Sequence, residues 1–200
     1  FFFDAIIRYD YISICTNIKL GGNPNHETHA GSTALLKATY AGETHSIKHL
    51  VELGANPNYI TQKKGMSALI MACSSGSIDA VRQLVESGAN ADLVLPDGRT
   101  ALVVSLRLGR IDPVAEYLVT HGKADLNLVD SNGFTPFMLC SAEFEMGLEC
   151  ARFLARHGAD VTIGEVPGDD TKGAIGIAWT QNKWTLARYL EEVKFSRKIC

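Results

Sequence analysis

Apolar residues recur along the chain at the spacing expected for short amphipathic helices. The clearest stretch has two such sets, Ala34, Leu35 and Ala38 followed by Ile47, Leu50 and Val51. Each set falls on one helical face, where residues three or four positions apart are neighbours. Gly42 lies between the two sets, where a left-handed residue can end the first helix. The pattern therefore predicts two short helices joined by a tight turn.

The helix pair repeats along the chain at intervals of 33 to 35 residues. Four repeats open on a similar motif: Gly31-Ser-Thr-Ala-Leu35, Gly65-Met-Ser-Ala-Leu69, Gly98-Arg-Thr-Ala-Leu102 and Gly133-Phe-Thr-Pro-Phe137. A second motif closes them in the same phase: Leu53-Gly-Ala-Asn56, Ser87-Gly-Ala-Asn90, His121-Gly-Lys-Ala-Asp125 and His157-Gly-Ala-Asp160, after an earlier copy at Leu20-Gly-Gly-Asn23. Two independent markers with one period indicate a repeat protein.

The repeated polar residues and glycines predict where the helices begin and end. Hydroxyl side chains are placed to cap the first helix of each repeat: Thr33, Ser67, Thr100 and Thr135. Glycines are placed to end the first helices (Gly42, Gly76, Gly109) and the second helices (Gly54, Gly88, Gly158). Asp97-Gly98 and Asn132-Gly133 suit the tip of a tight turn that leads into the next repeat.

These motifs resemble the ankyrin repeat. The family's opening, mid-repeat glycine, apolar core and close stand here as Gly31-Ser-Thr-Ala-Leu-Leu36, Gly42, Ile47-Lys-His-Leu-Val51 and Gly54-Ala-Asn56. The resemblance implies an all-α solenoid of stacked helix-turn-helix pairs with short hairpin-like connecting turns. The family's opening histidine is replaced in all four repeats, by Leu36, Ile70, Val103 and Met138, and only Pro136 keeps its proline. We therefore expect this array to be less rigid than an array of consensus repeats.

The alignment predicts a single array over residues 1–200. Its approximate repeats are 1–30 (incomplete), 31–64, 65–97, 98–132, 133–172 with an extended loop, and 173–200 as a C-terminal cap. The first repeat is aligned through Phe2, Ala5, Ile14 and Ile18, and is read as cut off inside its first helix. The chain does not begin with Met, which suggests a fragment of a longer protein. In this alignment Glu191 takes the place of the second core residue of the other repeats (Val51, Val85, Leu118 and Leu154). A charged residue at that position suits a terminal cap.

Composition narrows the functional class. The chain is 46% hydrophobic and 20% charged, with a net charge of −3, which argues against a nucleic-acid partner. Its longest apolar runs, such as 101–104, are too short for membrane insertion. The five cysteines are widely spaced and form no CxxC pair, which favours an intracellular, cytoplasmic location, with the nucleus as the alternative.

Four of the six histidines lie between residues 26 and 50, which raises the question of a metal site. His45 and His49 are placed on the second helix, whereas His26 and His29 fall in the connecting turn, with Glu27 between them. The His-Glu-x-x-His spacing of metalloproteases is absent. We therefore expect surface histidines, with no metal and no cofactor.

Catalytic motifs are missing as well. The chain has no Gly-x-Ser-x-Gly motif, P-loop or Gly-x-Gly-x-x-Gly motif. Cys140 and Cys150 occupy core positions, where a buried thiol acts as a small hydrophobic residue. The sequence therefore predicts that the chain is not an enzyme.

The family resemblance implies that a partner protein binds the concave face, made of the turn tips and the exposed side of each first helix. Carried over position by position, it assigns partner binding to Ser32, Tyr40, Lys63, Lys64, Met66, Ser74, Pro96, Arg99, Arg107, Ser131, Asn132 and Phe134. Met66 and Phe134 are apolar where turn residues are usually polar, and Arg99 is a typical interface anchor. We hypothesise that these three residues form the centre of the interface.

Three functional readings follow. The chain is a scaffold or adaptor for protein–protein contacts, or it is a regulatory or targeting domain of a larger protein such as a kinase, channel or ubiquitin-ligase component. An enzyme within these residues is the third reading, and it lacks a catalytic constellation. The acidic loop at residues 164–173 is expected to be a solvated loop rather than part of the interface.

Overall fold

A computed structural model describes residues 2–142, 146–166 and 169–198, and its regular structure is helical. The helices in chain order are α1 (Phe2–Lys19), α2 (Ala34–Ala41), α3 (Thr44–Glu52), α4 (Ala68–Ser75), α5 (Ile78–Glu86), α6 (Ala101–Arg107), α7 (Glu116–Thr120), α8 (Pro136–Ala142), α9 (Gly147–Arg156), α10 (Gly173–Thr180) and α11 (Trp184–Lys198). A π-helical turn, Ile111–Ala115, leads directly into α7. The described residues contain no β-strand beyond an isolated bridge between Val166 and Asp169. The predicted all-α architecture is confirmed.

The four predicted caps hold the first helix of each repeat. Thr33 Oγ1 accepts a hydrogen bond from the Leu36 N–H at 3.1 Å. Its counterparts Ser67, Thr100 and Thr135 accept from the N–H three residues on, at 3.4, 3.2 and 3.3 Å. These hydroxyls are buried, so each supplies a partner to an N–H that water cannot easily reach.

Glycine ends the first helices where the chain must turn back. Gly42 and Gly76 adopt left-handed conformations with φ of 73° and 75°, and their N–H groups donate to carbonyl oxygens of the last helical turn. A side chain on an L-residue disfavours this conformation, whereas glycine adopts it readily. Each turn therefore folds α2 onto α3, and α4 onto α5.

The first repeat differs from its alignment. Phe2–Lys19 forms one continuous helix of 18 residues, where the alignment of Phe2 with Leu35 implies a break between two helices. Tyr9 occupies the position that Gly42 holds in the next repeat, so no glycine is present to end the helix. The side chains of Phe2 and Ala5 lie outside the part of the chain that the structure describes.

The π-helical turn reflects a proline in the second helix of the repeat at 98–132. Pro113 has no N–H to donate, so the α-helical hydrogen bond expected at its position is lost. The Ala115 N–H instead donates to Arg110 O, five residues back, at 3.1 Å. The wider, underwound turn ends before α7 begins.

The chain divides into two compact units, Phe1–Asn90 and Ala91–Cys200. In the first unit α2 packs beside α4, and α3 packs beside α5. Ile47, Leu50, Val81 and Leu84 on the second helices are completely buried. Burial of each such side chain stabilises the fold by about 1.5–3 kcal/mol, so stacking of neighbouring pairs supplies much of the stability.

The second unit repeats this arrangement. α8 contacts α6 and α10, and α9 packs against α8 and α11. The large side chains at its centre are completely or almost completely buried: Leu118, Phe137, Leu154 and Leu190. The turn tips that precede α2, α4, α6 and α8 each close on themselves through a backbone hydrogen bond, as in Asp130 N–H to Phe134 O at 2.9 Å.

The structure corrects the register of the C-terminal cap. Leu118 and Leu154 occupy the position of Leu50 rather than that of Val51, because they are completely buried, as Leu50 is. Val51 itself is half-buried, and so is Glu191. The Glu191 carboxylate accepts a hydrogen bond from Trp179 Nε1–H at 3.0 Å, so it is bound within its own helix pair.

A ladder of asparagine and aspartate side chains links successive repeats within each unit. In the first unit Asn25 Oδ1 accepts from the Asn56 N–H at 2.8 Å, and Asn58 Oδ1 accepts from the Asn90 N–H at 2.6 Å. In the second unit the equivalent acceptors are Asp92, for Asp125 N–H at 2.7 Å, and Asn127, for Asp160 N–H at 2.7 Å. These bonds fix the spacing of neighbouring repeats where their closing motifs meet.

Candidate functional site

The turn tips of the first unit are held together by Glu27. Its carboxylate accepts hydrogen bonds from the Tyr59 hydroxyl at 3.0 Å and from the Gln62 backbone N–H. The Gln62 N–H is the main cause that lowers the pKa of the Glu27 carboxyl. Glu27 therefore joins the tip at 28–32 to the tip at 61–66, which is one residue longer and carries Lys63 and Lys64.

A groove opens along α2 in the first unit and contains three of the residues predicted to bind a partner: Ser32, Tyr40 and Lys64. Its volume is about 520 Å³, in the range of clefts that bind ligands. We call it the α2 groove. Its other lining residues are Tyr11, Ile14, Ala34, Leu36, Lys37, Ala38, Ala41, Glu43 and Met71. Most of these side chains are apolar, and Tyr40 is 77% exposed at the groove's surface.

Tyr11 connects the α2 groove to the second row of helices. Its hydroxyl lies 2.9 Å from His49 Nδ1, and the two rings meet edge to face with centroids 6.1 Å apart. Burial is the main cause that raises the pKa of Tyr11 to about 12. The phenol therefore stays neutral in the groove wall at physiological pH.

The second unit has a smaller and more polar groove, which contains Arg99, Arg107 and Asn132. The Arg99 guanidinium lies 2.6 Å from the Asp97 carboxylate and is the main cause that lowers the pKa of that carboxyl. Asp130, on the same groove, accepts hydrogen bonds from the Asn132 and Phe134 N–H groups, both at 2.8 Å. In this groove the Arg99 charge is therefore matched by the Asp97 carboxylate.

The twelve residues predicted to bind a partner differ in exposure. The exposed residues are Tyr40, Lys63, Lys64, Ser74, Pro96, Arg107, Ser131 and Asn132, and the half-buried ones are Ser32, Met66, Arg99 and Phe134. Met66 belongs to the first unit, whereas Arg99 and Phe134 belong to the second. Their grouping as the centre of one interface stays a prediction.

Three of the six histidines make local side-chain contacts. His49 is bound by Tyr11, and His157 Nε2 lies 3.0 Å from a Glu116 carboxylate oxygen. His121 stacks on Tyr117 with ring centroids 4.4 Å apart. No group of three or more potential metal-ligating side chains converges among the residues that the structure describes.

Cys140 and Cys150 are completely buried, as their core positions predict. Cys150 Sγ donates to Leu106 O at 3.4 Å. Burial raises the pKa of the Cys140 thiol well above its ordinary value. A thiol in this state is a poor nucleophile, because the thiolate is the reactive form.

The opening and closing motifs do not predict the asparagine and aspartate ladder, although the ladder leaves a signal in the sequence. Its acceptors lie two residues after each closing motif position, at Asn25, Asn58, Asp92 and Asn127. A polar residue that recurs in phase with the repeat indicates a repeated hydrogen bond.

None of the described helices is long and apolar enough to cross a membrane.

Comparison with known proteins places these features in a family. A family profile described as ankyrin repeats (3 copies) matches residues 2–95 and 83–164, which together cover most of the chain. No curated protein matches the chain closely enough to count as a relative.

Proposed function

Because the chain belongs to the ankyrin-repeat family, whose repeats generally mediate protein–protein interactions, we propose that it is a non-catalytic scaffold or adaptor. A partner protein binds the turn tips and the exposed side of the first helices. The observation that carries this proposal is the α2 groove, which gathers Ser32, Tyr40 and Lys64 from positions up to 32 residues apart in sequence. An apolar cleft beside an exposed tyrosine is typical of a site where a partner's side chain is buried.

The chemistry of the described residues supports contact rather than catalysis. The Cys140 thiol is buried with a raised pKa, and the Glu27 carboxylate is engaged by Tyr59 and Gln62. The exposed polar residues of the tips and first helices are free to vary without disturbing the buried second helices, which suits a surface that determines partner choice.

Affinity capture with matched variants tests the proposal. The chain and two groups of variants are used as bait in cells that express it. Tyr40→Ala, Ser74→Glu and Arg107→Glu alter exposed ends of first helices, and Lys48→Glu and Glu86→Lys alter exposed positions on second helices. We expect partners to be lost from the first group and kept by the second. Circular dichroism shows whether each variant is folded. Equal loss in both groups, or none in either, would refute a site on the first helices.

We also propose an intracellular location, cytoplasmic with the nucleus as the alternative. It is supported by five cysteines that form no CxxC pair. Expression with a fluorescent tag in the native cells tests it, and accumulation of the tagged chain in the secretory pathway would contradict it.

A further inference from the structure

The last repeat carries more residues before its first helix than the earlier repeats do. Its opening glycine, Gly173, follows the previous opening by 40 residues, whereas the earlier openings are 33 to 35 residues apart. We call residues 164–166 and 169–172, which contain the additional length, the insert. The Asp169 N–H donates to Val166 O at 3.0 Å, so the insert folds back on itself.

The repeat pattern continues into the last helix pair without a shift. Asn182 has a φ of 58° and takes the place of the left-handed Gly42. In this alignment Gly176 falls at a position that is apolar and bulky in α2, α4, α6 and α8: Leu36, Ile70, Val103 and Met138. Lys194 falls where earlier second helices end on glycine: Gly54, Gly88 and Gly158. The last repeat therefore departs from the pattern at Gly176 and at Lys194.

Both departures contact the insert. A Cβ atom on Gly176 would collide with the backbone of Asp170 and Thr171, so the insert lies directly on the surface of α10. Lys194 Nζ donates to both carboxylate oxygens of Glu165, at 2.7 and 2.9 Å, and the two side chains are 27% and 26% exposed. The glycine thus leaves room for the insert, and the lysine binds it to α11.

The insert lies beside a part of α10 that is buried in the earlier first helices. Leu35 and Thr39 on α2 are almost completely buried, and so are the residues at the same positions of α4, α6 and α8: Leu69, Cys73, Leu102, Leu106, Phe137 and Ser141. Their counterparts on α10, Ile175 and Trp179, are only half-buried. They line a cleft of about 900 Å³ together with residues of the insert and α11. We call Ile175 and Trp179 the open face of α10, because among the described first helices only α8 packs closely against α10.

We propose that the insert covers the open face of α10 and so prevents a second copy of this chain from stacking on it. A second copy is the occupant that the fold favours, because first helices of this chain already stack on one another, as α8 does on α10. Asp170, Thr171 and Lys172 on the insert are exposed, so the cover is polar on its outer side. A terminal repeat needs such a polar outer face to keep an array soluble. This inference does not depend on the partner-binding surface proposed above.

The variant Gly176→Leu tests the cover directly, because a packed and an unpacked insert predict opposite changes in stability. Leucine is a better helix former than glycine, and the buried Leu36 shows that it fits this position of a first helix. Without a packed insert the variant would therefore raise the urea midpoint. We expect it to lower the midpoint and to speed exchange of the Asp169 amide about tenfold, because leucine displaces the insert. Thr180→Leu adds the same side chain at an exposed position of α10 and should leave that amide unchanged.

Sedimentation velocity tests the consequence for self-association. The unchanged chain is expected to sediment as a monomer of 21.7 kDa at about 100 µM. Deletion of residues 165–171 leaves 33 residues between the two openings and should convert most of the chain to a dimer at that concentration. Adding Ile175→Glu to the deletion should restore the monomer, because it places a charge on the open face. Circular dichroism shows whether each variant is folded.

The ion pair allows a milder perturbation. Lys194→Glu brings two carboxylates together and should raise the dimer fraction about fivefold. Lys194→Glu combined with Glu165→Lys restores opposite charges and should return the chain to the monomer. Arg188→Glu makes the same charge change at an exposed position of α11 outside the cleft, and is expected to leave the chain monomeric.

The inference fails if Gly176→Leu raises the midpoint and leaves the Asp169 amide protected. It also fails if the folded deletion variant stays monomeric, if Ile175→Glu does not reverse its association, or if the unchanged chain dimerises to the same extent. If the deletion unfolds the chain, the charge variants decide, and equal sedimentation of Lys194→Glu and Arg188→Glu would overturn the inference. Loss or retention of a cellular partner bears on the proposed function alone.

Discussion

The side chain of Asn58 is expected to stabilise the contact between two neighbouring repeats. Its Oδ1 accepts from the Asn90 N–H at 2.6 Å, and its Nδ2 donates to Gly88 O at 3.2 Å. Asn58→Ala removes both bonds. Asn58→Asp keeps the acceptor and loses the donor, and Asp92 already fills the same role in the second unit, where it accepts from the Asp125 N–H.

The size of each effect follows from the number of bonds lost. A hydrogen bond contributes about 0.5–1.5 kcal/mol net, and the half-buried position of Asn58 lets water replace part of what is lost. We therefore expect Asn58→Ala to lower the free energy of unfolding by about 1.5–2 kcal/mol. Asn58→Asp should cost about 0.5–1 kcal/mol. Lys48→Ala, at an exposed position on α3, should stay within about 0.5 kcal/mol of the unchanged chain.

Urea unfolding followed by circular dichroism at 222 nm measures these differences. Native-state hydrogen exchange adds a local readout, because the Asn90 amide should exchange about tenfold faster in Asn58→Ala than in the unchanged chain. If Asn58→Ala and Lys48→Ala have the same midpoint, and the Asn90 amide keeps its protection, the ladder does not stabilise the repeat contact.

Three further predictions concern a helix cap and two titrating groups. Thr100→Ala should lower the free energy of unfolding by about 1 kcal/mol in urea, because the Val103 N–H loses its acceptor, and Thr100→Ser should restore most of it. The pKa of Glu27 is lowered in the folded chain, chiefly by the Gln62 N–H. The contribution of Glu27 to the stability of the fold is therefore complete above its unfolded pKa and is lost as pH falls below about 5. Glu27→Gln should flatten that acid dependence in urea titrations between about pH 5 and pH 3. The pKa of Tyr11 is raised to about 12, so its contribution to the free energy of unfolding is present below the unfolded pKa of 10.0 and is lost as pH rises from there towards 12. The tyrosinate absorbance of the unchanged chain, compared with that of Tyr11→Phe, should show one phenol that titrates later than the others.

The repeat and its helix ends are predictable because they depend on local residue types. A hydroxyl three residues before an apolar helical position, as at Thr33, caps a helix whatever the tertiary contacts are. A glycine such as Gly42 ends a helix for an equally local reason. The continuous α1 departs from the alignment for the same kind of reason, since Tyr9 replaces that glycine. The π-helical turn follows from Pro113, which is visible in the sequence, although proline alone does not determine how the helix adapts.

The register of the second helices is less predictable. The closing motif His121-Gly-Lys-Ala-Asp125 has one residue more than Leu53-Gly-Ala-Asn56, so an alignment on either end of the motif shifts the core positions. Burial decides between the two alignments, because Leu118 is completely buried as Leu50 is. Glu191 then aligns with half-buried positions such as Val51, where a charged residue can keep a polar partner.

The sequence predicts which residues belong to the candidate site, but not how they are arranged in space. The family resemblance selects Ser32, Tyr40 and Lys64 as surface positions, but their assembly in one groove depends on distances between repeats that the sequence does not contain. The pairing of Arg99 with Asp97 has a visible signal, since the two residues are two positions apart in a tight turn. That pairing changes the chemistry of the predicted centre, because the Arg99 charge is largely matched before a partner binds.

Site-specific photo-crosslinking in the native cells tests the central claim most directly. A photoreactive phenylalanine analogue is placed at Tyr40, at the surface of the α2 groove, and in a parallel chain at Lys48, an exposed position on α3. Binding at the first helices predicts a discrete protein adduct from position 40 and none from position 48. Adducts of the same protein from position 48 alone, or no adduct from position 40 in cells where the chain is bound to a partner, would contradict binding at the first helices.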